Sequence, residues 1–159
     1  MNIFVLDKDP RQAAWFQCDK HIGKMPLESA QMLCAALIKC GSYAEYKATH
    51  VNHPCSVWAR QSRDNFLWLC EHGIELCHEF KRRFRTPGKD HLCLAVIEDC
   101  MTRSDCIPAG ELTSFALAMP DKYKQSCAVQ SYRDYYSADK RRIAKWKDNR
   151  FPSWWVIDE

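Results

Sequence analysis

Between residues 62 and 84 the apolar side chains fall on one face of a helix. Phe66, Leu67, Cys70, Ile74, Cys77 and Phe80 recur mostly at three- and four-residue intervals. A stripe of that period and length is buried only when other elements pack against it, which commits the chain to a helical architecture. The stretch ends in Lys81, Arg82, Arg83 and Arg85, cations that suit the carbonyl end of a helix. Thr86-Pro87-Gly88 then predicts a break.

The remaining elements follow from punctuation. Residues 2–6 read as a short strand or extended lead, and Asp9-Pro10 as the cap and first residue of a helix to about Cys18. A second helix is predicted over 26–40, with Leu27, Ala30, Gln31, Leu33, Cys34, Leu37 and Ile38 as its stripe and Gly41 as its stop. Further helices are expected over 54–60, 91–101 and 128–146, with a long loop over 104–126 and an extended aromatic end at Trp154-Trp155. The expectation is one mainly α-helical domain, compact over all 159 residues, with a short N-terminal extended segment.

Apolar residues make up 47% of the chain and charged ones 27%, ordinary globular material. No apolar run approaches the ~18 residues of a membrane span. The first residues show neither a basic leader nor a small-residue cleavage site, so a cytoplasmic protein without membrane attachment is expected. Ten cysteines are many, yet Cys34, Cys70, Cys77, Cys93 and Cys100 sit at helical spacing among apolar neighbours. They read as small, reduced core residues. With no Cys-x-x-Cys, no structural zinc, metal or cofactor is expected.

Two polar clusters lie beside helix starts. In the first, Asp19-Lys20-His21 is followed by Lys24 and Glu28; if that stretch is helical, His21, Lys24 and Glu28 share one face. A carboxylate in an apolar helix beside a lysine suits a general acid or base, or a clamp on a ribose hydroxyl; a plain Lys24–Glu28 surface pair is the simpler alternative. In the second, His50, Asn52 and His53 precede Pro54, with Arg60 beyond. These residues fit an anion or a base edge, and equally a helix cap. Zinc on His50, His53 and Cys55 lacks a standard spacing and a fourth ligand.

A third group, Tyr132, Arg133 and Tyr136 with Lys140, Arg141, Arg142, Lys145 and Lys147, interleaves aromatic and basic residues. It suits a nucleic-acid strand, or else an amphipathic closing helix. The net charge of +3 is too small to decide between them. Lys20 and Lys24 could form a Schiff base if desolvated, and no Gly-rich phosphate loop is present.

The run through Phe4-Val5-Leu6, Ala13-Ala14, Asp19-Lys20-His21, Lys24, Glu28-x-x-Gln31-Met32-Leu33, Asn52-His53-Pro54 and Trp58-x-Arg60 resembles small phage and bacterial proteins. These are grouped with the pyrimidine-dimer DNA glycosylases of the endonuclease V type. Phe115-Ala116-Leu117-Ala118-Met119-Pro120-Asp121, Ser131-Tyr132-Arg133-x-Tyr135-Tyr136 and Ile143-Ala144-x-Trp146-Lys147 look like a phage-encoded branch of that set. The resemblance implies a DNA N-glycosylase with lyase activity, in which an amine attacks the sugar C1′ and a carboxylate handles the protons. It maps that carboxylate onto Glu28, seven residues after His21.

One departure follows. The characterised enzymes use the amine of a small second residue, whereas this chain has Asn2. The nucleophile is then the Met1 amine, a lysine, or absent. The expected partner is DNA or a small nucleotide. Glu28, His21 and Lys24 are expected at the chemistry, with Asp19, Lys20, His50, Asn52, His53, Arg60, Tyr132, Arg133 and Tyr136 in binding. A non-catalytic binder sequestering a small signalling nucleotide, or an enzyme modifying bases or free nucleotides, would use the same residues.

Overall fold

A computed structural model describes residues 1–84 and 89–156; Arg85 and the Thr86-Pro87-Gly88 break lie outside the described residues. Helices α1 (Pro10–Trp15), α2 (Asp19–Lys39), α3 (Pro54–Ala59), α4 (Arg63–Phe84), α5 (Cys93–Thr102) and α6 (Ala128–Asp139) account for most of the regular structure. No strand occurs among the described residues, and the fold is compact and mainly α.

α2 is the centre of the molecule. Its length of 21 residues and its run of buried side chains from Glu28 to Leu37 place it against α4, α5 and α3. α4 packs in turn on α1 and α5. The α4 approach is close at Gly73, where an added Cβ would come within 2.9 Å of Ile97 Cδ1 and 3.2 Å of Ser29 Cβ. A glycine is needed there for lack of room.

Three boundaries differ from the sequence expectation. α2 begins at Asp19, and Pro26 lies inside it rather than opening it. An interior proline removes one backbone bond and costs about 3 kcal/mol in an isolated helix. Here Met25 and Pro26 are buried, and packing of the long α2 offsets that cost. The first residues form no strand; Phe4 takes φ 43°, a left-handed conformation that no strand accepts. α6 stops at Asp139 instead of running to 146, because Trp146 turns inward and donates from Nε1 to the Phe16 carbonyl at 3.1 Å.

The long connection after α5 is tied to the core by a few polar anchors. Buried Asn65 donates from Nδ2 to the Trp58 carbonyl (2.9 Å) and Thr113 Oγ1 (2.8 Å), and its Oδ1 accepts from Thr113 N–H at 2.8 Å. Tyr132 donates to the Ala116 carbonyl at 2.7 Å and accepts from Ala118 N–H at 3.2 Å. Trp154 and Trp155 close the aromatic cluster around Tyr136 and Trp146. All ten cysteines are free thiols. No described helix is long and apolar enough to cross a membrane.

Candidate amine–carboxylate site

The first four residues fold back onto α2. Asn2 Oδ1 accepts from the N–H groups of Ile3 (2.8 Å) and Phe4 (3.0 Å), a local turn that its short amide side chain is suited to make. Its Nδ2 donates to the Ala118 carbonyl at 2.8 Å. Phe4, held at positive φ, lays its ring on His21 with centroids 4.4 Å apart. Such a conformation costs a bulky residue energy and persists only where its surroundings enforce it.

This turn brings the chain's α-amine to the one carboxylate buried in α2. Glu28, only 8% exposed, receives the Asn2 N–H at Oε2 (2.9 Å), and the Met1 amine stands 3.6 Å from the same oxygen. Lys24 Nζ reaches Oε1 at 3.0 Å from a side chain that is 67% exposed. Every donor in this set converges on one carboxylate, and the lysine arm opens to solvent.

His21 completes the inner wall. Its Nδ1 lies 2.8 Å from the Tyr136 hydroxyl, which accepts the Cys18 N–H at 2.8 Å. One proton lies between Nδ1 and the hydroxyl, its side set by the imidazole tautomer. Burial above all, then the positive charges of Lys140, Lys24 and Lys20, hold His21 down at about 4, with Glu28 opposing. The ring is neutral at ordinary pH. The Lys140 ammonium sits 4.7 Å above the Tyr135 ring, beside Phe4.

His50 and His53 lie on the turn that leads into α3. His53 caps α3, accepting the Cys55 N–H at Nδ1 (3.2 Å). Burial lowers its pKa first, followed by the N-terminal ammonium and His50, with Glu28 opposing. Glu28 thus holds the Met1 amine and Lys24 directly, while His21 contacts Phe4 and Tyr136, and His53 contacts the start of α3. Cys55 is buried there, its thiol pushed up to about 12 mainly by desolvation, and is no nucleophile.

Other expected site residues have structural partners. Arg60 donates to the carbonyls of Val51 (2.6 Å) and Ser56 (3.0 Å), bracing the corner. Asp19 pairs with Arg83 at 3.1 Å and faces the C-terminal tail, where its N–H meets the Lys145 carbonyl. His50, at φ 49°, contacts Thr49 Oγ1 at 2.7 Å, and Asn52 is exposed on the same turn. Lys20 is exposed on α2.

Tyr132 and Tyr136 are 0% exposed, so neither ring offers a face to a strand. Arg133 is held by the Leu6 carbonyl (2.8 Å) and Asp7 (3.2 Å). The strand-binding expectation for these three gives way to the amphipathic alternative: they fasten α6 to the core. Asn2, Phe4, Tyr135 and Lys140 join the site without having been expected there. An amide side chain ahead of an apolar run was the one available signal of a turn.

Two hollows open elsewhere. One of about 370 Å³ lies between Trp15, Phe16, Arg82, Arg83, Arg150 and Phe151. Another of about 600 Å³ lies between residues 112–117 and the start of α6. Neither is lined by Glu28, His21 or His53. Among the described residues no group of three or more His, Cys, Asp or Glu side chains could hold a metal ion. Compared with family models, curated proteins and solved structures, the chain gives no match.

Proposed function

We propose that this chain is a DNA N-glycosylase with lyase character, with the Met1 amine as nucleophile and Glu28 as the proton-handling group. The observation that carries the reading is the 3.6 Å approach of that amine to Glu28 Oε2. An α-amine loses its proton near pH 8, a lysine only above about 10, so the former supplies far more free nucleophile at neutral pH. The amine attacks the sugar C1′, and the base leaves with the bonding electron pair. Glu28 takes the proton shed by the attacking nitrogen and returns it to the ring oxygen as the sugar opens to a protonated Schiff base.

Lys24 pairs with Glu28, Lys140 lies over the Phe4 and Tyr135 rings, and with exposed Lys20 these cations suit the flanking phosphates. The target base would be flipped out of the duplex to reach it. Glu28→Gln is expected to abolish base release from damaged or modified duplex while preserving DNA binding. Absence of release by the wild-type chain over a broad base panel would overturn the reading.

That both Glu28 oxygens are already engaged by donors of the chain favours a second reading, a non-catalytic cage for a small nucleotide. A stoichiometric thermal shift with free nucleotides that come back unaltered would support it.

A further inference from the structure

On the side of α2 away from its N-terminal turns, α2 and α5 meet through sulfur. Cys34 of α2 and Cys100 of α5 are 0% and 1% exposed, with their Sγ atoms 3.8 Å apart. This is the one thiol–thiol contact at hydrogen-bonding distance among the described residues. The surroundings of the two sulfurs are unequal. Cys34 Sγ has the Cys100 thiol at hydrogen-bonding distance, the peptide groups of Tyr46 and Glu45 beside it and Arg103 nearby. These contacts outweigh burial and draw the Cys34 thiol down to about 7, while Cys100 is pushed up and keeps its proton.

The neighbouring thiols contrast with this. Cys77 is pushed up to about 12 by desolvation, and Cys70 is pushed up as well. Cys93 is raised too and meets Tyr46 Oη at 3.8 Å. The cover over the Cys34–Cys100 pair is the short connection after α2, in which Gly41 takes φ 83° and Ala44 is buried. Arg103 latches that cover through the Tyr43 carbonyl and pairs with Asp99.

We propose that Cys34 and Cys100 form a peroxide-sensitive dithiol that closes to an intramolecular disulfide joining α2 to α5. The Cys34 thiolate attacks one oxygen of hydrogen peroxide and breaks the O–O bond, giving a sulfenic acid and hydroxide, which takes up a proton to become water. The Cys100 sulfur then attacks the sulfenic sulfur, and the hydroxyl leaves as a second water with the Cys100 proton. Two thiols are oxidised by two electrons and one peroxide is reduced. The inference is independent of the glycosylase reading.

The test treats the native chain with a slight excess of hydrogen peroxide, blocks remaining thiols by alkylation and digests with trypsin without reductant. The expected product links peptide 25–39 to peptide 90–103, with a mass two hydrogens below the pair. Cys93→Ser retains the link, since Cys93 shares the second peptide, whereas Cys34→Ser and Cys100→Ser each abolish it. The oxidised wild-type chain should melt several degrees higher, and dithiothreitol should reverse the shift. Absence of the 25–39 to 90–103 link in the folded chain would overturn the proposal. So would a link running equally through Cys93, or one that forms only in urea. These readings of the wild-type chain hold even if a variant folds poorly.

Discussion

Phe4 lies flat on His21, ring centroids 4.4 Å apart and planes 18° from parallel, although Phe4 has a backbone conformation that bulky residues avoid. The stack couples two parts of the site that are remote in sequence. It fixes the fold-back that carries the α-amine to Glu28, and it keeps water from the imidazole.

Phe4→Ala is therefore expected to act twice. Loss of a buried aromatic side chain costs about 3–5 kcal/mol of stability. In the chain that remains folded, His21 should titrate well above its present value of about 4, because water reaches the ring. Chemical denaturation and histidine proton resonances followed against pH measure the two effects. An unchanged His21 titration would mean that Phe4 does not shield it.

Acid should weaken the fold through two histidines. His21 and His72 both sit at about 4 in the folded chain against an ordinary 6.5, chiefly through burial. Below pH 6.5 the unfolded chain takes up protons that the folded chain refuses. The stabilisation is complete above 6.5 and is lost as pH falls towards 4, by at most about 3 kcal/mol for each histidine. Urea midpoints between pH 7 and 4.5 should fall accordingly, and His72→Gln should flatten the slope.

Asn65 is expected to govern the long connection after α5. Its amide spans Trp58 and Thr113, and Asn65→Ala removes the three hydrogen bonds that join them. The cost should be about 1–3 kcal/mol, accompanied by new protease cleavage between 108 and 118. Cleavage unchanged from wild type would place the anchor elsewhere.

DNA affinity should separate the lysines from the arginine that braces α6. Lys20→Ala, Lys24→Ala and Lys140→Ala are each expected to weaken binding and to lower the logarithmic salt slope by about 1. Arg133→Ala should leave the slope alone and reduce stability, because its guanidinium serves Leu6 and Asp7. A salt slope lowered by Arg133→Ala would restore the strand-binding role that the sequence suggested.

The sequence carried the helices where local pattern decides the outcome. α4 is legible from its stripe and basic end, and α1 from Asp9-Pro10, whose carboxylate takes the N–H groups of Arg11 and Gln12. Pro26 misled because a proline usually opens a helix, whereas burial of α2 carries it through the interior. In the site, His21, Lys24, Glu28 and His53 were visible as polar groups at helix starts. The roles of Arg60, Arg133 and Asp19 were not, because their partners Val51, Leu6 and Lys145 are fixed only by tertiary packing. The fold-back at Asn2 and Phe4 was hidden for the same reason.

The most direct measurement traps the amine on DNA. The chain is incubated with a duplex bearing a damaged or abasic site in the presence of borohydride, and the adduct is digested and its peptides weighed. The account expects the nucleic acid on the N-terminal peptide, with the intact mass of the free chain confirming an unblocked amine, and no adduct from Glu28→Gln. An adduct carried by a lysine peptide, or no adduct from the unblocked chain, would contradict it.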